Sequence, residues 1–247
     1  MILASKLMGA GGAKTPVPLQ YSPSIWLDAT DAGSITVSGG RVTVWADKSG
    51  AGRNVTNGAA SGPTTGTNTI GGKNALYFAG AQYLASASTT EFIGATNQVF
   101  SAFMVCYTNT GSTVLLSLDN VAGNRMPQII SPVGGTSFYS ARIIPTAVSD
   151  TSAATITANT PFIPTAVLST TYIEARINGV TNGSTALSGN TASLSSPLWV
   201  GDFQNGGYGL IDAIGEVIIY PTVLTNTQMN AVGNYLAAKW SISWTNL

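Results

Sequence analysis

Leu210-Ile211-Asp212-Ala213-Ile214-Gly215-Glu216-Val217-Ile218-Ile219-Tyr220, followed after Pro221-Thr222-Val223-Leu224 by Thr225-Asn226-Thr227-Gln228, decides the fold. The first part is rich in β-branched and aromatic residues and runs into a proline, so it reads as a strand. The second part starts a helix. The Thr225 hydroxyl is placed to accept from the amide of residue 228. The Gln228 side chain is placed to return a bond to the amide of 225, and Leu224 to pack on Met229. Met229, Val232, Leu236 and Trp240 then recur at helical spacing and define one apolar face. Gly233 weakens such a helix by roughly 1 kcal/mol relative to alanine, which points to a packing role. The helix is expected to cover one edge of a β-sandwich.

Upstream, short β-branched and aromatic stretches alternate with Gly, Asn, Ser and Pro, the spacing of a sandwich or barrel rather than of βαβ units. The strands expected are Ser24–Ala29, Gly40–Ala46, Ala75–Phe78, Val99–Tyr107, Thr113–Leu118, Pro127–Ile130, Ser137–Ile144, Phe162–Ser169, Thr171–Ile177, Pro197–Asp202 and Leu210–Tyr220. Simple alternation puts Val42 and Val44 on one face. Asn178-Gly179 supplies the positive φ angles of a tight hairpin.

The 247 residues are long for one domain but ordinary for a sandwich. Only 8% are charged, against roughly 25% in common globular proteins. Ser, Thr, Asn and Gly supply the polar surface. Ten basic and ten acidic residues cancel without clustering. A nucleic-acid partner would need a basic stripe, and an anionic membrane surface is disfavoured for the same reason. The absence of histidine removes Ser-His-Asp and Cys-His nucleophile systems and HExxH zinc sites. Cys106, the sole cysteine, lies in an apolar run and reads as a small buried hydrophobe. Composition therefore favours a non-enzyme. The start, Met1 to Ala13, has a lysine and several glycines where a signal peptide needs a continuous apolar run. It reads as an arm over residues 1–21, with Ile2, Leu3, Leu7 and Met8 as anchoring side chains, held by a partner chain or by its own domain. Residues 22–247 form the sandwich.

Several segments together resemble the concanavalin A-like (laminin G-like) jelly-roll superfamily. They are Trp26-Leu27-Asp28-Ala29 with Val44-Trp45-Ala46-Asp47-Lys48-Ser49-Gly50, and Ala75-Leu76-Tyr77-Phe78-Ala79-Gly80-Ala81-Gln82-Tyr83-Leu84. Tyr172 to Gly179 is the third, and Ile214 to Tyr220 with Asn234 to Trp240 the fourth. The resemblance implies an all-β jelly-roll sandwich with one short C-terminal helix and an N-terminal extended arm. Each motif also has a purely structural reading, in which Phe78 and Tyr83 pack in the sandwich. The resemblance is much less specific for function, since the superfamily hosts lectins, glycanases and scaffolds.

Its glycanases use a Glu-x-Asp-x-x-Glu strand, with acid and nucleophile roughly 5–5.5 Å apart. The nearest pair here is Asp212 and Glu216, four apart on one strand face and so roughly 13 Å apart. A structural role is expected for Glu216, and no catalytic residue. No cofactor is expected. A rim calcium would have to use Asp28, Asp31 and Asp47, for which turn and cap roles are the expectation. For glycan binding, an aromatic beside amide and carboxylate hydrogen-bonders suits a sugar, and the loop from Gly201 to Gly209 offers Asp202, Gln204, Asn205 and Tyr208. Phe203 adds a second aromatic; the alternative reading of the loop is a glycine-rich hairpin with Phe203 buried and Asn205-Gly206 as its turn.

The resemblance and the composition lead to one expectation. The chain is a non-enzymatic structural protein on the virion surface of a tailed bacteriophage, as capsid decoration, head or tail fibre, or tail-associated adhesin. The arm binds other virion proteins in a homo-oligomeric or symmetric assembly, and the sandwich faces host surface glycans. The alternatives are a free-standing carbohydrate-binding module, extracellular or on a cell surface, and a glycanase.

Overall fold

The computed structural model describes residues 14–57, 61–87, 99–108, 113–119, 125–131, 138–143, 149–157, 159–186, 197–202 and 209–247. In chain order the strands are β1 (Ile25–Asp28), β2 (Ile35–Ser38), β3 (Arg41–Trp45), β4 (Val55–Thr56), β5 (Thr64–Ile70), β6 (Lys73–Ala79), β7 (Leu84–Ala85), β8 (Phe100–Thr108) and β9 (Thr113–Asp119). They continue as β10 (Arg125–Ser131), β11 (Phe138–Ile143), β12 (Ser149–Thr155), β13 (Pro164–Leu168), β14 (Tyr172–Ile177), β15 (Val180–Ala186), β16 (Leu198–Val200) and β17 (Ile211–Tyr220), before helix α1 (Asn226–Trp240). One sheet runs β15-β14-β13-β8-β17-β6-β5, with β1 also paired to β17. The other runs β12-β11-β10-β9-β16-β7-β4-β3-β2. The fold is an all-β jelly-roll sandwich with one C-terminal helix.

Two apolar cores result. Between the sheets lie Leu27, Phe78, Met104, Cys106, Ile173, Ile214 and Val217 of the first sheet, against Trp45, Leu84, Leu116, Leu198 and Val200 of the second. The second core lies on the outer face of the first sheet. There Trp26, Phe103, Val167, Ile218 and Tyr220 meet Leu224, Met229, Val232, Leu236 and Trp240. The helix therefore covers the face over the central strands β8 and β17 and not an edge, because those strands are apolar on both sides. Burial of each such side chain contributes roughly 1.5–3 kcal/mol.

The helix start matches its sequence. Gln228 N donates to Thr225 Oγ1 at 3.3 Å, and Thr225 N donates to Gln228 Oε1 at 2.9 Å. The Asn178-Gly179 hairpin has φ of 53° and 85°, with Ile177 paired to Val180. In β3 the register slips by one residue between Val42 and Val44. This bulge at Thr43 breaks the alternation, so Val42 and Trp45, not Val42 and Val44, enter the core.

Val17–Tyr21, within the segment assigned to the arm, forms a 3-10 turn that packs on the helix side. Tyr220 Oη donates to Pro18 O at 3.3 Å, and the Tyr21 and Tyr220 rings meet edge to face. Ile2, Leu3, Leu7 and Met8 lie outside the described residues. After α1 the tail folds back along the helix. Trp244 Nε1 and Leu247 N both donate to Asn230 Oδ1, at 3.3 and 2.9 Å, and Thr245 N donates to Asn178 O at 2.8 Å.

Candidate functional site

The densest polar cluster lies where β1, β17 and α1 meet. Asp28 and Glu216 stand directly opposite each other on paired antiparallel strands, an arrangement that repels two like charges. Lys239, in the last turn of the helix, resolves it: Nζ lies 2.7 Å from Asp28 Oδ1 and 2.8 Å from Glu216 Oε2. Glu216 is fully buried and accepts three further bonds. Trp26 Nε1 donates to Oε1 at 2.7 Å, Tyr235 Oη to Oε1 at 3.1 Å, and Trp240 Nε1 to Oε2 at 2.7 Å. Asp28 also accepts from Thr30 Oγ1 at 2.7 Å and from Lys48 Nζ at 3.0 Å.

Burial raises the Glu216 carboxyl above its ordinary range despite Lys239. Burial pushes Asp28 in the same direction, but the hydrogen bonds from Lys239 and Thr30 overcome it and hold Asp28 below its usual value. Tyr235 is raised, first by burial and then by the Glu216 charge. With two donors on each oxygen and no solvent access, Glu216 has no lone pair left for a substrate. Its role is structural. The register shift between Ile214 and Glu216 breaks the strict alternation along β17.

Asp31 and Asp47, the other aspartates a rim calcium would use, do turn and cap work. Asp31 accepts from Gly33 N at 3.1 Å and pairs with Lys48 Nζ at 2.8 Å. Asp47 accepts from the backbone N–H of Trp26, Ser49 and Arg53, and the Arg53 guanidinium donates to Ser24 O. These bonds fix the 47–53 loop on β1. Among the described residues, no three His, Cys, Asp or Glu side chains group closely enough to hold a metal.

Of the loop residues assigned to glycan binding, Gln204, Asn205 and Tyr208 lie outside the described residues, as does Phe203. Asp202 is fully buried at the loop's start. Next to it Gly201 is packed so closely that a Cβ would stand 2.4 Å from the Phe78 ring. Asp202 therefore offers no exposed carboxylate.

An aromatic pair that the sequence reading did not single out lies on the outer face of the nine-stranded sheet. Leu198 and Val200 enter the core, so Trp199 between them faces the opposite way, a signal that alternation already contained. Tyr83, expected inside with Phe78, stands outside instead, because its neighbour Leu84 takes the inward position. Its ring centroid is 5.0 Å from that of Trp199, with the planes at 55°.

The chain matches no protein-family model and no curated protein sequence. Solved structures share its fold. Trypanosoma rangeli sialidase in complex with 2,3-difluorosialic acid is 12% identical with a TM-score of 0.61, over 96% of this chain and 36% of that one. Domain 4 of AbnA, an extracellular GH43 arabinanase from Geobacillus stearothermophilus, in complex with arabinotriose, gives 12% and 0.59 over 87% of this chain and 98% of that domain. The receptor-binding domain of botulinum neurotoxin D gives 13% and 0.60 over 87% and 53%. The chain spans about a third of the sialidase chains it matches. These likenesses establish a β-sandwich fold.

Proposed function

We propose that the chain is a non-enzymatic, lectin-like recognition module that binds saccharides. The observation that carries this reading is the fate of Glu216. The strand-borne acid nearest to a glycanase arrangement is sealed beneath the helix by Trp26, Tyr235, Lys239 and Trp240, so the sandwich presents a surface rather than an acid pair. The AbnA domain, which matches nearly end to end, was solved with arabinotriose, and that supports a saccharide as ligand. Calorimetric titration with arabinotriose and other oligosaccharides, with a parallel assay for new reducing ends, tests the reading. Binding without cleavage is expected. Reducing ends that accumulate with time overturn it.

The setting we propose is the surface of a tailed bacteriophage particle, with other virion proteins bound through the arm residues Ile2, Leu3, Leu7 and Met8. Its support is the sequence: 8% charge and a Gly- and Ala-rich start. A chain lacking residues 1–13 keeps the packed Val17–Tyr21 turn. It is expected to fold normally and to fail to enter particles; unchanged incorporation overturns the setting.

A further inference from the structure

We propose that the outer face of the nine-stranded sheet holds an uncharged sugar ring on the Tyr83–Trp199 pair. The proposal rests on the saccharide reading and names the place and the ligand class. The helix and the 17–21 turn pack on the other sheet, so the two outer faces of the sandwich differ. On this face the pairing runs Thr36–Val44–Thr56–Ala85–Trp199–Ser117 across six strands. Of the positions paired with Trp199, Ser117 is fully buried and Ala85 only half-buried, so the exposed flank of the indole is the one toward Ala85 and Thr56. Tyr83 and Trp199 are partly exposed and Thr56 is exposed. Aromatic faces beside a hydroxyl suit the C–H face and the hydroxyl rim of a sugar.

Two further features point the same way. Asn57 Nδ2 donates to Tyr83 O at 2.6 Å and to Ser61 O at 3.2 Å, which fixes the tyrosine's backbone and reduces the ordering cost of binding. Trp199 Nε1 is shielded from solvent and has no acceptor, although buried indole N–H groups ordinarily find one. A sugar hydroxyl is a group of the kind that supplies such an acceptor. The row continues from Ser117 through Gln128 to Arg142 and Asp150, three and four strands from Trp199, and no charged residue stands in it within two strands of Trp199. The face therefore selects neutral sugars over sialylated or uronic ones.

The test titrates the full chain with neutral glucan, galactan and arabinan oligosaccharides and with sialylated and uronate-bearing counterparts, by calorimetry and tryptophan fluorescence. Neutral sugars are expected to bind, about tenfold or more weakly in Trp199→Ala and Tyr83→Ala and within a few-fold in Trp199→Phe. Thermal melting of each variant reports folding. Where Trp199→Ala does not fold, Tyr83→Ala and Trp199→Phe decide. Undiminished binding in folded Trp199→Ala and Tyr83→Ala overturns this site while leaving the saccharide reading intact. A preference for the charged sugars overturns the ligand class. A Trp199-dependent dimer in light scattering overturns the proposal by making a second copy the occupant. No binding to any sugar by the unaltered chain overturns both readings.

Discussion

Trp240 reaches Glu216 across the space that a side chain at Gly215 would fill. Its indole Nε1 donates to Glu216 Oε2 at 2.7 Å, while its ring lies 2.6 Å from where a Cβ on Gly215 would stand. The register shift at this glycine turns Glu216 toward the helix, and the missing side chain lets the indole follow. The end of α1 is thereby fastened to the central strand.

Replacing Glu216 with glutamine keeps the shape but puts an amide N–H₂ among four donors and leaves Lys239 short of one partner. The expected loss is about 3–5 kcal/mol, the usual cost of breaking a buried charged network. Urea unfolding checks it, and a loss below about 1 kcal/mol, the scale of an exposed pair, would contradict the arrangement.

Gly233→Ala is expected to destabilise, although alanine favours helix by roughly 1 kcal/mol. The added methyl would stand 2.1 Å from Trp244 Cε2, an overpacking worth about 1–3 kcal/mol. In a Trp244→Ala background the same change should become neutral or stabilising. A double-mutant cycle that gives equal effects in both backgrounds rejects the contact.

Thr225→Ala removes the oxygen that receives the Gln228 amide. The loss should be about 1 kcal/mol, read as a lowered urea midpoint at unchanged slope. A wild-type midpoint would mean that the cap contributes nothing.

Asp28 has a lowered folded-state pKa, so its stabilising contribution is present above the unfolded value of 3.8 and is lost as pH falls through the folded value. The stability gap between the unaltered chain and Asp28→Asn should therefore narrow between about pH 7 and about pH 3. Glu216 is shifted upward and works in the opposite sense. The Asp28 charge is one cause of that upward shift, so the gap reports Asp28 together with its coupling to Glu216. A gap of constant size rejects the assignment.

The sequence announced the interior strands and missed the margins. Ser24–Ala29, Val99–Tyr107, Phe162–Ser169 and Leu210–Tyr220 carry dense β-branched and aromatic residues, and each holds a described strand, β1 or the interior strands β8, β13 and β17. The strands that went unread include those at the ends of the two sheet orders, β2, β5, β12 and β15. In β5 (Thr-Thr-Gly-Thr-Asn-Thr-Ile) only Ile70 is buried, and in β15 nothing is. An edge that must not recruit another chain is written in polar residues and leaves no apolar pattern to find. The two-residue strands β4 and β7 are too short for any periodicity. The helix cap was legible because it is local. The Asp28–Lys239–Glu216 bridge was not, since it joins residues up to 211 positions apart. The continuous run Val217 to Tyr220 did carry a sign of burial on both faces, which would have moved the helix from an edge to a face.

The turn at Val17–Tyr21 and the tail pinned by Asn178 and Asn230 lie on the helix-covered side. This gives the sandwich a front and a back. A tether attached near either terminal segment leaves from the back, and many copies grafted that way onto a sensor chip, a bead or a shell would all turn the nine-stranded sheet outward.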